Sequence, residues 1–161
     1  MFTITDWSSL KWTVERILKD CLEEIAFETA KELQRRVQTD WYEAHSPQFY
    51  DRTYQLLNSI INSKVEQKGN KFEVTIGFDH SIITPNFLGG NGFNEHMGFD
   101  GIPFIEGLIE TIEEGNSSPY SPNYARQGIN MVEKTAYWLA TNLLKISKEI
   151  FRKYGINLII T

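Results

Sequence analysis

Residues 64–78 read K-V-E-Q-K-G-N-K-F-E-V-T-I-G-F. Phe72, Val74, Ile76 and Phe78 alternate with Lys71, Glu73, Thr75 and Gly77, the period of a strand with one buried face. Val65 and Gln67 alternate with Lys64, Glu66 and Lys68 on a partner strand. Gly69-Asn70 between the two runs suits a two-residue hairpin turn with glycine at its first central position. An isolated hairpin must be covered to be stable, and the sequence on either side offers helices for that purpose.

Immediately upstream, Tyr50–Ile60 read Y-D-R-T-Y-Q-L-L-N-S-I. Tyr50, Tyr54, Leu57 and Ile61 fall at helical spacing, and Leu56 and Ile60 widen the stripe. Asp51 is placed to cap a short amphipathic helix of about three turns. Further upstream, residues 10–39 carry Leu10, Val14, Ile17, Leu18, Cys21, Leu22, Ile25, Ala26, Ala30, Leu33 and Val37 in one stripe at spacings of mostly three and four. Ser8 or Ser9 can cap this long helix. Glu15–Lys19 and Glu32–Arg36 are four-residue pairs with the acid first. A helix this long overhangs the core of a small domain, which favours contact with another chain. Residues 40–49 form an aromatic loop in which Trp41, Tyr42 and Phe49 plug the end of the core. Residues 1–7 form an apolar arm with Phe2, Ile4 and Trp7.

Downstream of the hairpin, residues 79–102 are glycine-rich, nearly uncharged and aromatic, with Phe87, Leu88, Phe93, Met97 and Phe99 among Gly89, Gly90, Gly92, Gly98 and Gly101. Such a long loop is either functional or packed on its own domain. Both readings stand: ordering against a partner through those five apolar residues, or an Ω-like loop. Pro103 opens a short helix that Gly115 stops, and residues 115–124 form a Ser/Pro/Asn loop. The last helix spans about residues 126–154. Val132, Ala136, Leu139, Leu143, Ile146 and Ile150 make a seam suited to packing on the first long helix, with Leu139, Leu143, Ile146 and Ile150 facing Leu18, Leu22, Ile25 and Leu33. Gly155 ends it, and residues 156–160 form a strand that joins the hairpin. The expected fold class is therefore α+β: a small antiparallel sheet, hairpin plus C-terminal strand, packed with two long and two short helices. At 161 residues the chain is expected to be a single structural domain.

Composition narrows the function classes. Hydrophobic content of 41% and aromatic content of 13% exclude general disorder. No apolar run is long enough for a bilayer, and the N-terminus lacks the pattern of a signal peptide. Cys21, the single cysteine, lies on the apolar stripe and reads as a core thiol. A net charge of −5 argues against a dedicated DNA-gripping surface, because affinity for phosphate comes from clustered Lys and Arg. Asp79-His80, His45, and the trio Glu95, His96 and Asp100 are the groups to which metal or acid–base chemistry could be assigned. Their spacing matches no H-E-x-x-H or EF-hand pattern, and Gly89-Gly90-x-Gly92 lacks the lysine and helix start of a phosphate loop. No catalytic residue, metal ligand or cofactor is expected. The competing expectations are a metal-assisted hydrolase or nuclease on Glu95, His96, Asp100 and His80, and a monomeric adaptor whose aromatic loop binds a peptide.

The Y-x-R-T-x-x-L-x-x-S-I helix between a long charged helix and a hairpin resembles the tail-completion and head–tail joining proteins of long-tailed bacteriophages. Tyr50, Arg52, Thr53, Leu56 or Leu57, Ser59 and Ile60 carry the likeness. Tyr54-Gln55-Leu56 departs from the Gly-x-Leu found there in many members, and the glycine-rich loop is a further departure. The resemblance implies a non-enzymatic virion protein at the head–tail junction, assembled in the host cytoplasm as a homo-oligomeric ring, a hexamer first and a dodecamer second. It implies neck, connector and tail-tube proteins as neighbours, DNA passing without specific binding, and no membrane. Tyr50, Arg52, Thr53, Leu56 and Ser59 would be structural. Phe87, Leu88, Phe93, Met97 and Phe99, with Phe2 and Trp7 of the arm, are the expected interface residues.

Overall fold

A computed structural model describes residues 6–44, 54–83, 108–116 and 126–159. In chain order these are α1 (Trp7–Arg36), a π-helical continuation (Val37–Glu43), α2 (Gln55–Asn58), β1 (Ile60–Asn62), β2 (Glu66–Lys68), β3 (Lys71–Glu73) and β4 (Ile76–Phe78). A 3-10 turn (His80–Ile82), α3 (Leu108–Glu114), β5 (Gly115–Asn116), β6 (Arg126–Gln127) and α4 (Met131–Lys153) follow. The fold is α+β, with two long helices and short strand pairs, β1 with β4, β2 with β3, and β5 with β6. The chain packs as two compact units, one built from residues 1–31, 62–76 and 137–161, the other from 32–61 and 77–136.

In the first unit the hairpin forms as the sequence predicts. Gly69 takes φ +64 at the turn, and the register pairs Glu66 with Glu73, Gln67 with Phe72 and Lys68 with Lys71. Lys68 Nζ lies 2.8 Å from Glu73 and 3.8 Å from Glu66, relieving the like charges that the register sets opposite each other. Phe72 and Val74 are half-buried between exposed Lys71, Glu73 and Thr75, and Lys19 of α1 stands 5.4 Å over the Phe72 ring. The expected single strand from residue 71 to 78 is broken at Val74–Thr75, and β4 pairs with β1.

α1 starts earlier than Ser8 or Ser9 would set it. Asp6 is the cap: its Oδ1 accepts the Ser9 amide at 2.8 Å, while Ser9 Oγ accepts the Asp6 amide at 3.2 Å. This reciprocal pair satisfies two amides at once. Seven residues spaced by four wind round α1 and into its continuation, buried Thr13, Ile17 and Cys21, half-buried Ile25, then buried Thr29, Leu33 and Val37, with Ala26, Ala30 and Glu32 buried beside them. Four residues overshoot one helical turn by about 40°, so the row winds round the helix instead of running along one side. Threonine is tolerated in it because Thr13 and Thr29 donate to the carbonyls of Ser9 and Ile25 at 2.7 and 2.8 Å. Val14 and Leu18, expected on the buried stripe, are exposed. Lys11, rather than Lys19, pairs with Glu15, at 3.9 Å.

Ile17, Cys21 and Ile150 form a buried cluster with Ile25, Ile146, Phe151, Tyr154 and Ile156 against it. This joins α1 to α4, with Lys153 paired to Glu24. Leu143, expected in the seam, is 42% exposed. α4 closes on Gly155 at φ +74, where the Gly155 amide donates to Arg152 O and the Ile156 amide to Phe151 O, both at 3.0 Å. That closure corrects the expected C-terminal strand. The Ile156 amide is spent on the helix end and its side chain packs on the cluster, so residues 156–159 form no strand.

In the second unit α1 continues as a π-helix rather than ending near Thr39 in a loop. Val37 and Tyr42 are both buried, and wider π winding brings residues five apart to one face. The three-turn helix expected over Tyr50–Ile60 is a single turn in its described part. Tyr54 adopts φ +54 ahead of Gln55, and Ile60 already belongs to β1. Buried Glu32 accepts from Arg35 at 2.6 and 2.7 Å and from Arg36 at 2.8 Å, the expected Glu32–Arg36 pair with a second arginine added.

Gly115 at φ +87 ends α3, as expected. α4, however, begins at Met131, because residues 126–127 are committed to β6. The Ile129 and Asn130 amides cap α3 by donating to Ile112 O and Glu113 O at 3.1 and 3.2 Å. Gly128 lies so close to Glu113 O and Glu114 that a Cβ there would collide with backbone.

Candidate functional site

Several residues singled out from sequence are packed or hydrogen-bonded within the second unit. Ser59 is fully buried, its Oγ donates to Leu56 O at 2.8 Å, and its carbonyl accepts the Asp79 amide at 2.7 Å. Leu56 is buried beside it in sequence, and Tyr54 stacks on Tyr42 with ring centroids 4.7 Å apart. Asp79 is engaged as a turn cap, its Oδ1 accepting from the Ser81 hydroxyl at 2.6 Å and amide at 2.9 Å. Those two bonds, the hydroxyl first, hold its carboxyl below the usual range. His80 is exposed on the turn that follows. Among the described residues no three His, Cys, Asp or Glu side chains converge as metal ligands. Phe2, His45, Tyr50, Arg52, Thr53, Phe87, Leu88, Phe93, Glu95, His96, Met97, Phe99 and Asp100 lie outside the described residues.

Cys21 is a core thiol, 2% exposed. Burial, reinforced by Glu24 and Asp20, pushes its pKa up to about 11, so it holds its proton at neutral pH.

The first unit also carries apolar surface that its own core does not use. Trp7, expected in an N-terminal arm but in fact the first residue of α1, is 79% exposed, Trp12 59% and Phe27 58% further along α1, and Tyr137 is 76% exposed on α4. Leu143 and Leu144 are exposed as well. The winding row on α1 explains part of this. Burial follows a path spaced by four, and Trp12 and Phe27 lie off that path. These rings lie on the sides of the helices that their own core leaves uncovered.

The outward face of α4 has a charge character of its own. Thr141, Leu144, Lys145, Lys148, Glu149 and Arg152 line a shallow open groove of about 400 Å³. Lys145, Lys148 and Arg152 recur at i, i+3 and i+7, and none makes an ion pair among the described residues. Between exposed Trp12 and Phe27, α1 carries half-buried Asp20 and exposed Glu23, and half-buried Arg16 stacks on Trp12 at 5.0 Å. Sequence reasoning missed these rows. The available signal was large aromatics off the expected stripe: Trp12, Phe27 and Tyr137.

The class these features define is an α+β domain whose long helices carry exposed aromatic and charged rows. The family model for YomN matches residues 6–141, most of the chain, and the chain belongs to the YomN family, which is phage-related. No curated protein and no solved structure matches it. Among the described residues no helix is long and apolar enough to cross a membrane.

Proposed function

We propose that the chain is a structural component of a phage particle at the head–tail junction, where copies form a ring round the DNA channel and join the neck to the tail tube. The observation that carries this is the unused apolar surface on both long helices, Trp12 and Phe27 on α1 and Tyr137 on α4, in a member of a phage-related family. Aromatic side chains are enriched where one protein surface covers another. The likeness of Tyr50, Arg52, Thr53, Leu56, Ser59 and Ile60 to the tail-completion pattern supports the same place in the particle. A net charge of −5 suits a wall past which DNA slides without being gripped. No catalytic step or cofactor enters this function. Trp7, with Phe87, Leu88, Phe93, Met97 and Phe99, would contact neighbouring subunits or particle proteins.

The test is deletion of the gene from the phage that encodes it, with mass spectrometry of purified wild-type particles. The expected result is that the protein is present in the particles, and that the deletion yields DNA-filled heads and separate tails. Its absence from wild-type particles, or normal joined particles without it, overturns the proposal.

A further inference from the structure

The outward rows of α1 and α4 match each other in spacing and in chemistry. On α1, exposed Trp12, Glu23 and Phe27 and half-buried Arg16 and Asp20 follow steps of four, four, three and four along the sequence. On α4, Tyr137, Thr141, Lys145, Lys148 and Arg152 follow the same steps. Each row spans about 22 Å at the rise of an α-helix. Set side by side in the same direction, they place Asp20 opposite Lys145, Glu23 opposite Lys148, the Phe27 ring opposite the Arg152 guanidinium, Trp12 opposite Tyr137, and Arg16 opposite the Thr141 hydroxyl. Acid–cation, cation–π and aromatic pairs of this kind are individually favourable.

We infer that the α1 row of one copy docks on the α4 row of the next. This rests on the ring proposed above and names the surfaces that form it. Both rows belong to the same compact unit, so each copy offers one of each. Because the surfaces differ, the contact is heterologous, head to tail, the kind that builds a ring when its rotation closes. Asp20, Glu23, Lys145, Lys148 and Arg152 make no ion pair among the described residues, and Glu23, Lys145 and Arg152 are exposed. A second copy fits the α4 row better than the phosphate backbone of DNA does. Glu149 stands among the cations, and Tyr137 and Leu144 add apolar surface that phosphate would not use.

The test is sedimentation velocity of the full chain over a range of concentrations, with circular dichroism to check folding. Wild type should self-associate, less strongly in high salt. Lys145→Glu with Lys148→Glu, and separately Asp20→Lys with Glu23→Lys, should each weaken association at least ~tenfold, since each sets like charges across the contact. An equimolar mixture of the two variants should recover association, because each then presents the complement of the other. If a reversed chain misfolds, Lys148→Gln and Glu23→Gln replace it and should give the same direction with smaller effect.

A wild-type chain that stays monomeric, single-face variants that associate normally, or a mixture that fails to recover overturns the inference. So does duplex DNA binding lost in the lysine variants while association is unchanged. A protein present in particles but indifferent to these reversals defeats the docking surfaces and leaves the structural function standing. Absence from particles defeats the function itself.

Discussion

Lys134 Nζ in the first turns of α4 lies 3.0 Å from Asp40 Oδ2 in the π-helical segment, joining residues 94 apart in sequence. Burial raises the Asp40 carboxyl, but bonds from Lys134 and the Thr39 hydroxyl, with Arg36 nearby, outweigh it and hold the carboxyl below its ordinary value of 3.8. A depressed carboxyl contributes stability above the unfolded value and loses it as pH falls through the folded one. Asp40→Asn should therefore cost up to ~1 kcal/mol at pH 7, since Lys134 is largely exposed. It should also flatten the loss of stability below about pH 3.8. Urea titrations at several pH values measure both.

Glu113 behaves in the opposite sense. Its Oε1 accepts the Val132 amide at the start of α4, while its Oε2 is buried with no hydrogen-bond partner among the described residues. Burial pushes its pKa above 4.5, against the pull of the Val132 and Met131 amides. The folded state therefore holds the proton more tightly, and this contribution, full below about pH 4.5, is lost as pH rises through the folded value. Glu113→Gln keeps an acceptor and removes that dependence. Glu113→Ala removes the cap and should cost ~0.5–2 kcal/mol, more than the glutamine change. Comparing the two variants at pH 4 and pH 7 separates cap from charge.

Gly128→Ala places a Cβ against the Glu113 carbonyl oxygen and the Glu114 backbone. Backbone cannot swing aside as a side chain can, so a loss of about 1–3 kcal/mol or more is expected in thermal melts. Gly77→Ala is the control, because a Cβ there meets open space.

Ile150→Ala should cost ~2–5 kcal/mol, because Ile150 is buried in the cluster with Ile17 and Cys21. Leu143→Ala, on the exposed side of α4, should change monomer stability by under ~1 kcal/mol. Equal losses at both sites would mean the buried face of α4 is misassigned.

Cys21 should resist iodoacetamide at pH 8 in the folded protein and react readily in urea. Only the thiolate attacks, and burial holds this thiol's pKa near 11. Between about pH 9 and 11 the unfolded chain ionises while the folded one does not, so stability should fall across that window.

The sequence alone determined the features with local causes. Alternation around Phe72 and a glycine at position 69 specify the hairpin of residues 66–73, because side-chain period and positive φ are properties of a few adjacent residues. Gly115 and Gly155 mark helix ends for the same reason. Cys21 reads as buried because its neighbours at spacings of four are apolar or satisfied. Only the tertiary structure decided which of several apolar positions on α1 and α4 are buried. Val14 and Leu18 are as hydrophobic as Ile17, and the choice depends on what packs against each face. Long-range partners also moved the start of α4 to Met131, where Glu113 caps it. They kept residues 156–159 out of the sheet by spending the Ile156 amide on the end of α4. The outward rows follow from that same choice: an exposed tryptophan or tyrosine on a helix becomes a candidate contact only once the core has been filled without it.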